Sequence, residues 1–182
     1  MIYNLPNLLA LSRILLAPFM LFIMLNPEFI TDKGYHPSWV AYFAGLIFLI
    51  ASITDFFDGF IARQLNQITN LGKILDPLAD KMLTLAAFLG LMMMGMASVW
   101  AIYIILVREL FISGLRTSAV QLGLDVSASW SGKVKTVVQM MAIGFILMDW
   151  IFAQELLWLA VILTVYSGVE YLISYTKALK AL

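Results

Sequence analysis

The stretch Asp55-Phe56-Phe57-Asp58-Gly59-Phe60-Ile61-Ala62-Arg63, followed after eight residues by Gly72-Lys73-Ile74-Leu75-Asp76-Pro77-Leu78-Ala79-Asp80, decides how this chain is to be read. Four carboxylates stand at the ends of two long apolar runs. Asp55 and Asp58 are three residues apart, so on a helix they share a face with Gly59 and Ala62. Gly72, Asp76 and Asp80 recur every fourth residue and form a second stripe. A short polar segment, residues 64–70, joins the two runs, and antiparallel helices joined in this way bring such stripes face to face.

The surroundings make these acids expensive. The chain has 182 residues, 63% hydrophobic and 12% charged, with a mean hydropathy of +0.96. A soluble domain is about 45–50% apolar and about 25% charged. The composition therefore excludes an ordinary soluble globular protein, a disordered chain and a nucleic-acid-binding domain. The absence of cysteine excludes disulfides, thiolate zinc sites and cysteine nucleophiles, and the lone histidine, His36, excludes a histidine-rich metal site.

Working outward from the acidic stretch, apolar runs of spanning length cover residues 8–25, 39–62, 72–94, 99–122, 133–152 and 156–175. Residues 95–98 read as a tight turn. The fold expected is an all-α integral membrane protein of one domain, residues 1–182, with six transmembrane helices. A short interfacial helix over residues 2–10 precedes the first span. The first residues lack a basic segment and a small-residue cleavage site, so they read as retained. With both termini in the cytoplasm, ten of the eleven basic residues lie inside and only Lys33 outside. This orientation puts the acidic stretch on the cytoplasmic side of a multi-pass protein.

A charge within a membrane helix costs about 2.5–3.5 kcal/mol on insertion scales. Four carboxylates facing one space repel one another unless cations hold them. Arg63, Lys73 and Lys81 are near in sequence but do not explain the spacing. Clusters of carboxylate oxygen are sites for hard divalent cations, Mg²⁺ or Mn²⁺. Four of them suit two ions about 3.5–4 Å apart, the arrangement that clamps a phosphoryl group during in-line displacement. Gly59, Ala62 and Gly72 leave room where a ligand would approach. The plainer reading, aspartates that cap helix ends and meet water, accounts for one such residue better than for four in register.

The pattern Asp-x-x-Asp-Gly-x-x-Ala-Arg-(eight residues)-Gly-x-x-x-Asp-x-x-x-Asp resembles the signature of the CDP-alcohol phosphatidyltransferases, with every fixed position present. The resemblance implies a six-helix membrane enzyme, usually a homodimer, in which an alcohol displaces CMP from a CDP-linked alcohol. It implies that Asp55, Asp58, Asp76 and Asp80 bind the metals and that Asp80 is also the general base. It places Gly59, Arg63, Thr69 and Gly72 against the CDP-lipid.

A basic set lies on the same side. Arg108 and Arg116 are eight residues apart on the fourth run, and Lys133 and Lys135 open the fifth. Arg and Lys are the usual partners of phosphate, so the set suggests an anionic acceptor. Positive-inside topology alone accounts equally well for Lys133 and Lys135, but poorly for Arg108, which sits well inside an apolar run beside Glu109. Asn4-Leu-Pro-Asn7 with Arg13, Arg108-Glu109 with Gly114-Leu-Arg116, and Gly132-Lys133-Val-Lys135-Thr136 resemble the bacterial branch of the family that makes phosphatidylglycerol phosphate. That branch uses CDP-diacylglycerol and sn-glycerol 3-phosphate in the bacterial inner membrane. The resemblance would assign Arg108, Arg116, Lys133 and Lys135 to the acceptor phosphate. Ala10 departs from the pattern, which expects Thr there.

Three rivals remain on the sequence. A membrane prenyltransferase also uses aspartate-rich motifs, but in a larger set of helices. An ion-coupled transporter would carry its carboxylates near the midplane and show inverted repeats. A family member with another acceptor, such as inositol phosphate, would share the whole acidic signature. Glu170 in the sixth run reads as a polar contact. Trp39, Trp100, Trp150 and Trp158 read as an interfacial belt.

Overall fold

The structure is a computed structural model. It describes the backbone of residues 5–64, 72–124 and 129–180, and the side chains of residues 7–54, 78–124 and 129–180. The described residues form helices joined by short turns and contain no strand. The helices are α1 (Leu5–Leu25), α2 (Glu28–Thr31), α3 (Ser38–Gln64), α4 (Gly72–Met93), α5 (Val99–Gln121), α6 (Trp130–Leu147) and α7 (Ala153–Leu179). Asn7–Leu25 and Ala153–Leu179 are each long and apolar enough to cross a membrane, and Ser38–Thr54 is a shorter apolar helix.

The helix ends follow local chemistry. After α4, Gly95 takes φ +70°, and the Met96 and Gly95 N–H groups donate to the Leu91 and Met92 carbonyls. After α5, Gly123 takes φ +68°, with Leu124 and Gly123 donating to Ala119 and Val120. Both are Schellman caps, which need a left-handed residue that glycine supplies without steric cost. Ser129 opens α6 by accepting the Gly132 N–H at 3.2 Å, an N-cap bond.

Three boundaries differ from expectation. Among the described residues no separate helix precedes the first apolar run: α1 runs unbroken from Leu5, with Pro6 in the first turn, where its missing N–H costs nothing. Residues 2–4 lie outside the described residues. The fifth expected run is helical, as α6, only to Leu147 rather than 152, because Asp149 and Phe152 take positive φ (51° and 64°) and turn the chain into α7. The single turn α2 was not expected; it carries Ile30 into an apolar cluster with Ile23 and Val40.

The chain divides into two compact units. One comprises Met1–Met96 with Ile146–Trp150, the other Ala97–Phe145 with Ile151–Leu182. In the first, α1 packs against α3 and α4, and α3 touches α4. Its buried positions are rich in small side chains: Ala10 and Ala17 on α1, Ala44 and Ala51 on α3, Ala79, Ala87 and Gly90 on α4. Small residues let helix backbones approach closely where lipid removes the hydrophobic drive between helices. Gly90 is such a contact, since a β-carbon there would overlap the Met24 side chain.

Helix α1 is inverted relative to a soluble helix. Leu8, Leu11, Leu15, Phe19 and Phe22 are exposed along one face, while Asn7 and Arg13 are buried on the other. A contiguous apolar face of that length is unusual on a water-soluble monomer and natural against lipid.

In the second unit α5 packs on α7. The inner face of α7 runs Leu157, Ala160, Thr164, Ser167, Gly168 and Tyr171, all buried. Its outer face, including Ile162, Val165 and Val169, is exposed and apolar. Gln139 of α6 donates to Thr164 Oγ1 at 2.8 Å, both residues being buried, and Ser118 of α5 pairs with Tyr175 of α7 at 3.0 Å. These interhelical bonds spare polar groups the cost of meeting hydrocarbon.

Candidate functional site

The acidic half of the expected site lies on the first unit. Helix α3 carries Asp55, Asp58, Gly59 and Arg63 in its last turns, and α4 carries Gly72, Asp76 and Asp80 from its first residue. Both spacings therefore fall on continuous helix, on two helices that touch. For Asp55, Asp58, Gly59, Arg63, Gly72 and Asp76 only the backbone is described, and Thr69 lies outside the described residues. Asp80 is the one acid of the set whose side chain is described, and its Oδ1 is buried. A carboxylate oxygen is a hard donor of the kind that hard divalent cations take, so the chemistry of this one described side chain is compatible with such an ion. Among the described residues no group of three or more His, Cys, Asp or Glu gathers in a way that could hold a metal ion.

Arg13 is fully buried on α1, the helix that packs on both α3 and α4. The sequence marked it only as an interruption of an apolar run. A buried guanidinium survives in apolar surroundings only with anionic or polar company, which α3 and α4 carry in this unit.

The basic half lies on the second unit, and the structure brings part of it together. Glu109 Oε1 accepts from Arg108 Nη1 at 3.2 Å and also from Lys135 Nζ. Lys135 is only 6% exposed. The Arg108 Nη2 group donates to Ser167 Oγ on α7 at 2.9 Å. One carboxylate thus ties α5 to α6, and one guanidinium ties α5 to α7. The cluster of two cations and one anion keeps a net positive charge within largely apolar helices.

Arg116 and Lys133 are not drawn into this cluster. Arg116 is exposed and lies over the Tyr171 ring, 5.9 Å from its centroid, a cation–π arrangement. Lys133 is exposed. It stands two residues before Lys135, so the helix turns their side chains to nearly opposite sides of α6. Glu170 forms a polar contact, as the sequence suggested, by accepting from the Ser131 hydroxyl of α6.

Ser167 and Gly168 were missed. Their signal was present in the sequence: Thr164, Ser167, Gly168 and Tyr171 recur at helical spacing and are the small or polar stripe of an apolar helix.

Comparison with known proteins agrees with these features. The family model described as CDP-alcohol phosphatidyltransferase matches residues 3–166. The chain is 42% identical to a Bacillus subtilis (strain 168) protein named CDP-diacylglycerol–glycerol-3-phosphate 3-phosphatidyltransferase, with 98% of each chain covered. It is 37% identical to the protein of that name from Escherichia coli (strain K12), with 93% of each covered. The fold resembles the crystal structure of Mycobacterium tuberculosis phosphatidylinositol phosphate synthase in its apo form. The TM-score is 0.62 at 21% identity, over 91% of this chain and 87% of that one. The acidic signature, the basic cluster on α5 and α6 and the all-helical fold meet in one assignment: this chain belongs to the CDP-alcohol phosphatidyltransferase family.

Proposed function

We propose that the chain transfers the phosphatidyl group of CDP-diacylglycerol to sn-glycerol 3-phosphate, giving phosphatidylglycerol phosphate and CMP. Family membership and the names of relatives aligned over nearly the whole length support the reaction. The observation that carries the choice of acceptor is the convergence of Arg108 and Lys135 on Glu109 between largely apolar helices. Charged side chains are retained in such surroundings where function needs them, and this pair suits a phosphorylated alcohol.

In this reading the protein has six membrane spans forming a single domain and both termini in the cytoplasm of a bacterial cell. It is a homodimer in the inner membrane, with its site open to the cytoplasm. The membrane interface is where a lipid held by its acyl chains meets a soluble, charged acceptor.

Asp55, Asp58, Asp76 and Asp80 would hold two Mg²⁺ or Mn²⁺ ions, which when bound neutralise charge building on the pyrophosphate. Gly59, Arg63, Thr69 and Gly72 border the CDP-lipid. Asp80 takes the proton from the 1-hydroxyl of glycerol 3-phosphate. That oxygen forms a new ester bond to the lipid-side phosphorus, the bond from this phosphorus to CMP breaks, and CMP departs with the electron pair. Arg108, Arg116, Lys133 and Lys135 hold the acceptor phosphate.

The test is an assay of purified protein with CDP-diacylglycerol and a panel of acceptors, scoring CMP release. The expected result is release with glycerol 3-phosphate and none with free glycerol or serine. Preferential release with inositol phosphate would move the chain to another acceptor within the same family.

A further inference from the structure

Two residues of α7 form the seat of the Arg108 side chain. Ser167 Oγ accepts from Arg108 Nη2 at 2.9 Å and donates its own hydrogen to the Thr164 carbonyl at 3.2 Å. The hydroxyl is thereby oriented, with its lone pairs toward the guanidinium. A β-carbon on Gly168 would lie 3.1 Å from both Cγ and Nε of Arg108, closer than ordinary contact. The stem of Arg108 therefore lies against bare α7 backbone, and its buried Nε has no hydrogen-bond partner among the described residues. Glu109 restrains the guanidinium from its own helix through Nη1. Of the five N–H donors of the guanidinium, the described bonds engage one on each terminal nitrogen.

We propose that Ser167 and Gly168 are positioning residues for acceptor recognition. They hold the Arg108 fork in register with Lys135, so that its uncommitted donors meet the phosphate monoester without reorganising. This rests on the reading above, that Arg108 and Lys135 bind the acceptor phosphate. An arginine side chain has many rotamers, and one held in its binding geometry loses less freedom when the ligand arrives. Any side chain at position 168 displaces the stem, and removal of the hydroxyl at 167 releases one prong. Both residues lie beyond residue 166, where the match to the family model ends.

The test is steady-state kinetics of the purified full-length protein. CDP-diacylglycerol and glycerol 3-phosphate are varied separately in Ser167→Ala, Ser167→Thr, Gly168→Ala and Arg108→Gln, and the thermal shift induced by glycerol 3-phosphate is recorded alongside. Loss of one hydrogen bond to a charged group corresponds to about a tenfold change. Ser167→Ala and Gly168→Ala are expected to raise KM for glycerol 3-phosphate by about five- to tenfold and to diminish the thermal shift, with kcat and the lipid KM changing by less than about threefold. Ser167→Thr, which keeps the hydroxyl, should restore the KM. An unchanged acceptor KM in Ser167→Ala and Gly168→Ala, with a raised one in Arg108→Gln, overturns the positioning role and leaves the phosphate site standing. An unchanged acceptor KM in Arg108→Gln removes the underlying reading and the inference together. Should Gly168→Ala fail to fold, the Ser167→Ala and Ser167→Thr pair decides.

Discussion

Lys135 of α6 and Arg108 of α5 share a single oxygen, Glu109 Oε1. The basic cluster is thus built from two helices, with its cations held by an internal anion. In the proposed reading, an incoming acceptor phosphate would share these cations with Glu109.

This sharing gives Glu109 a structural weight that can be measured. Glu109→Gln keeps the shape but removes the charge that faces buried Lys135. Breaking a fully buried pair costs about 3–5 kcal/mol. Glu109 retains 26% side-chain exposure, so a loss of about 1–3 kcal/mol is expected. Thermal unfolding in detergent should show a lower midpoint; an unchanged midpoint would remove the carboxylate from the account of stability.

The basic residues should separate acceptor from lipid. Lys135→Ala and Arg116→Ala should each raise KM for glycerol 3-phosphate by about tenfold or more, the scale of a charge-assisted contact, and change KM for CDP-diacylglycerol much less. Equal effects on both substrates would argue against a phosphate pocket.

Asp80 carries the strongest prediction. If Asp80 is the proton acceptor and a metal ligand, as proposed, Asp80→Asn removes both functions, and CMP release should fall by at least about 10²-fold. A chelator should abolish activity in the unmodified protein, and added Mg²⁺ or Mn²⁺ should restore it. Near-normal turnover of the variant, or indifference to the chelator, would defeat the assignment.

The bond between Gln139 and Thr164 predicts stability alone. Thr164→Val leaves the buried Gln139 amide short of an acceptor, a cost of about 1–3 kcal/mol in unfolding free energy. The double variant Gln139→Leu/Thr164→Val should recover part of that loss, because it removes the stranded group with its partner. Unfolding midpoints of the single and double variants check this; strict additivity would show that the two side chains do not interact.

Much of the fold was legible in the sequence. Six long helices follow six apolar runs, because spanning length and composition are local properties. Gly95 and Gly123 mark helix ends because only a residue at ease with positive φ closes a Schellman turn. The end of α6 was not legible, since Asp149 and Phe152 adopt left-handed backbone that their residue types do not announce.

The inner faces were harder to read. In a membrane helix both faces are apolar, so hydrophobic periodicity does not mark the core. Small and polar residues mark it instead, as Thr164, Ser167 and Gly168 do on α7. The acidic signature needed no tertiary information, because its spacing lies within single helical turns. The neighbouring pair Arg108 and Glu109 was visible for the same reason.

The sequence by itself determined the apolar helices, the order of their charges and the acidic signature that names the family. Each of these depends on residues close along the chain. Only the tertiary structure decided that Arg13 is buried, that Lys135 meets Glu109 across 26 residues, and that Ser167 receives Arg108 across 59. Such partners are chosen by how helices pack, and packing depends on the shapes of whole faces rather than on any one segment.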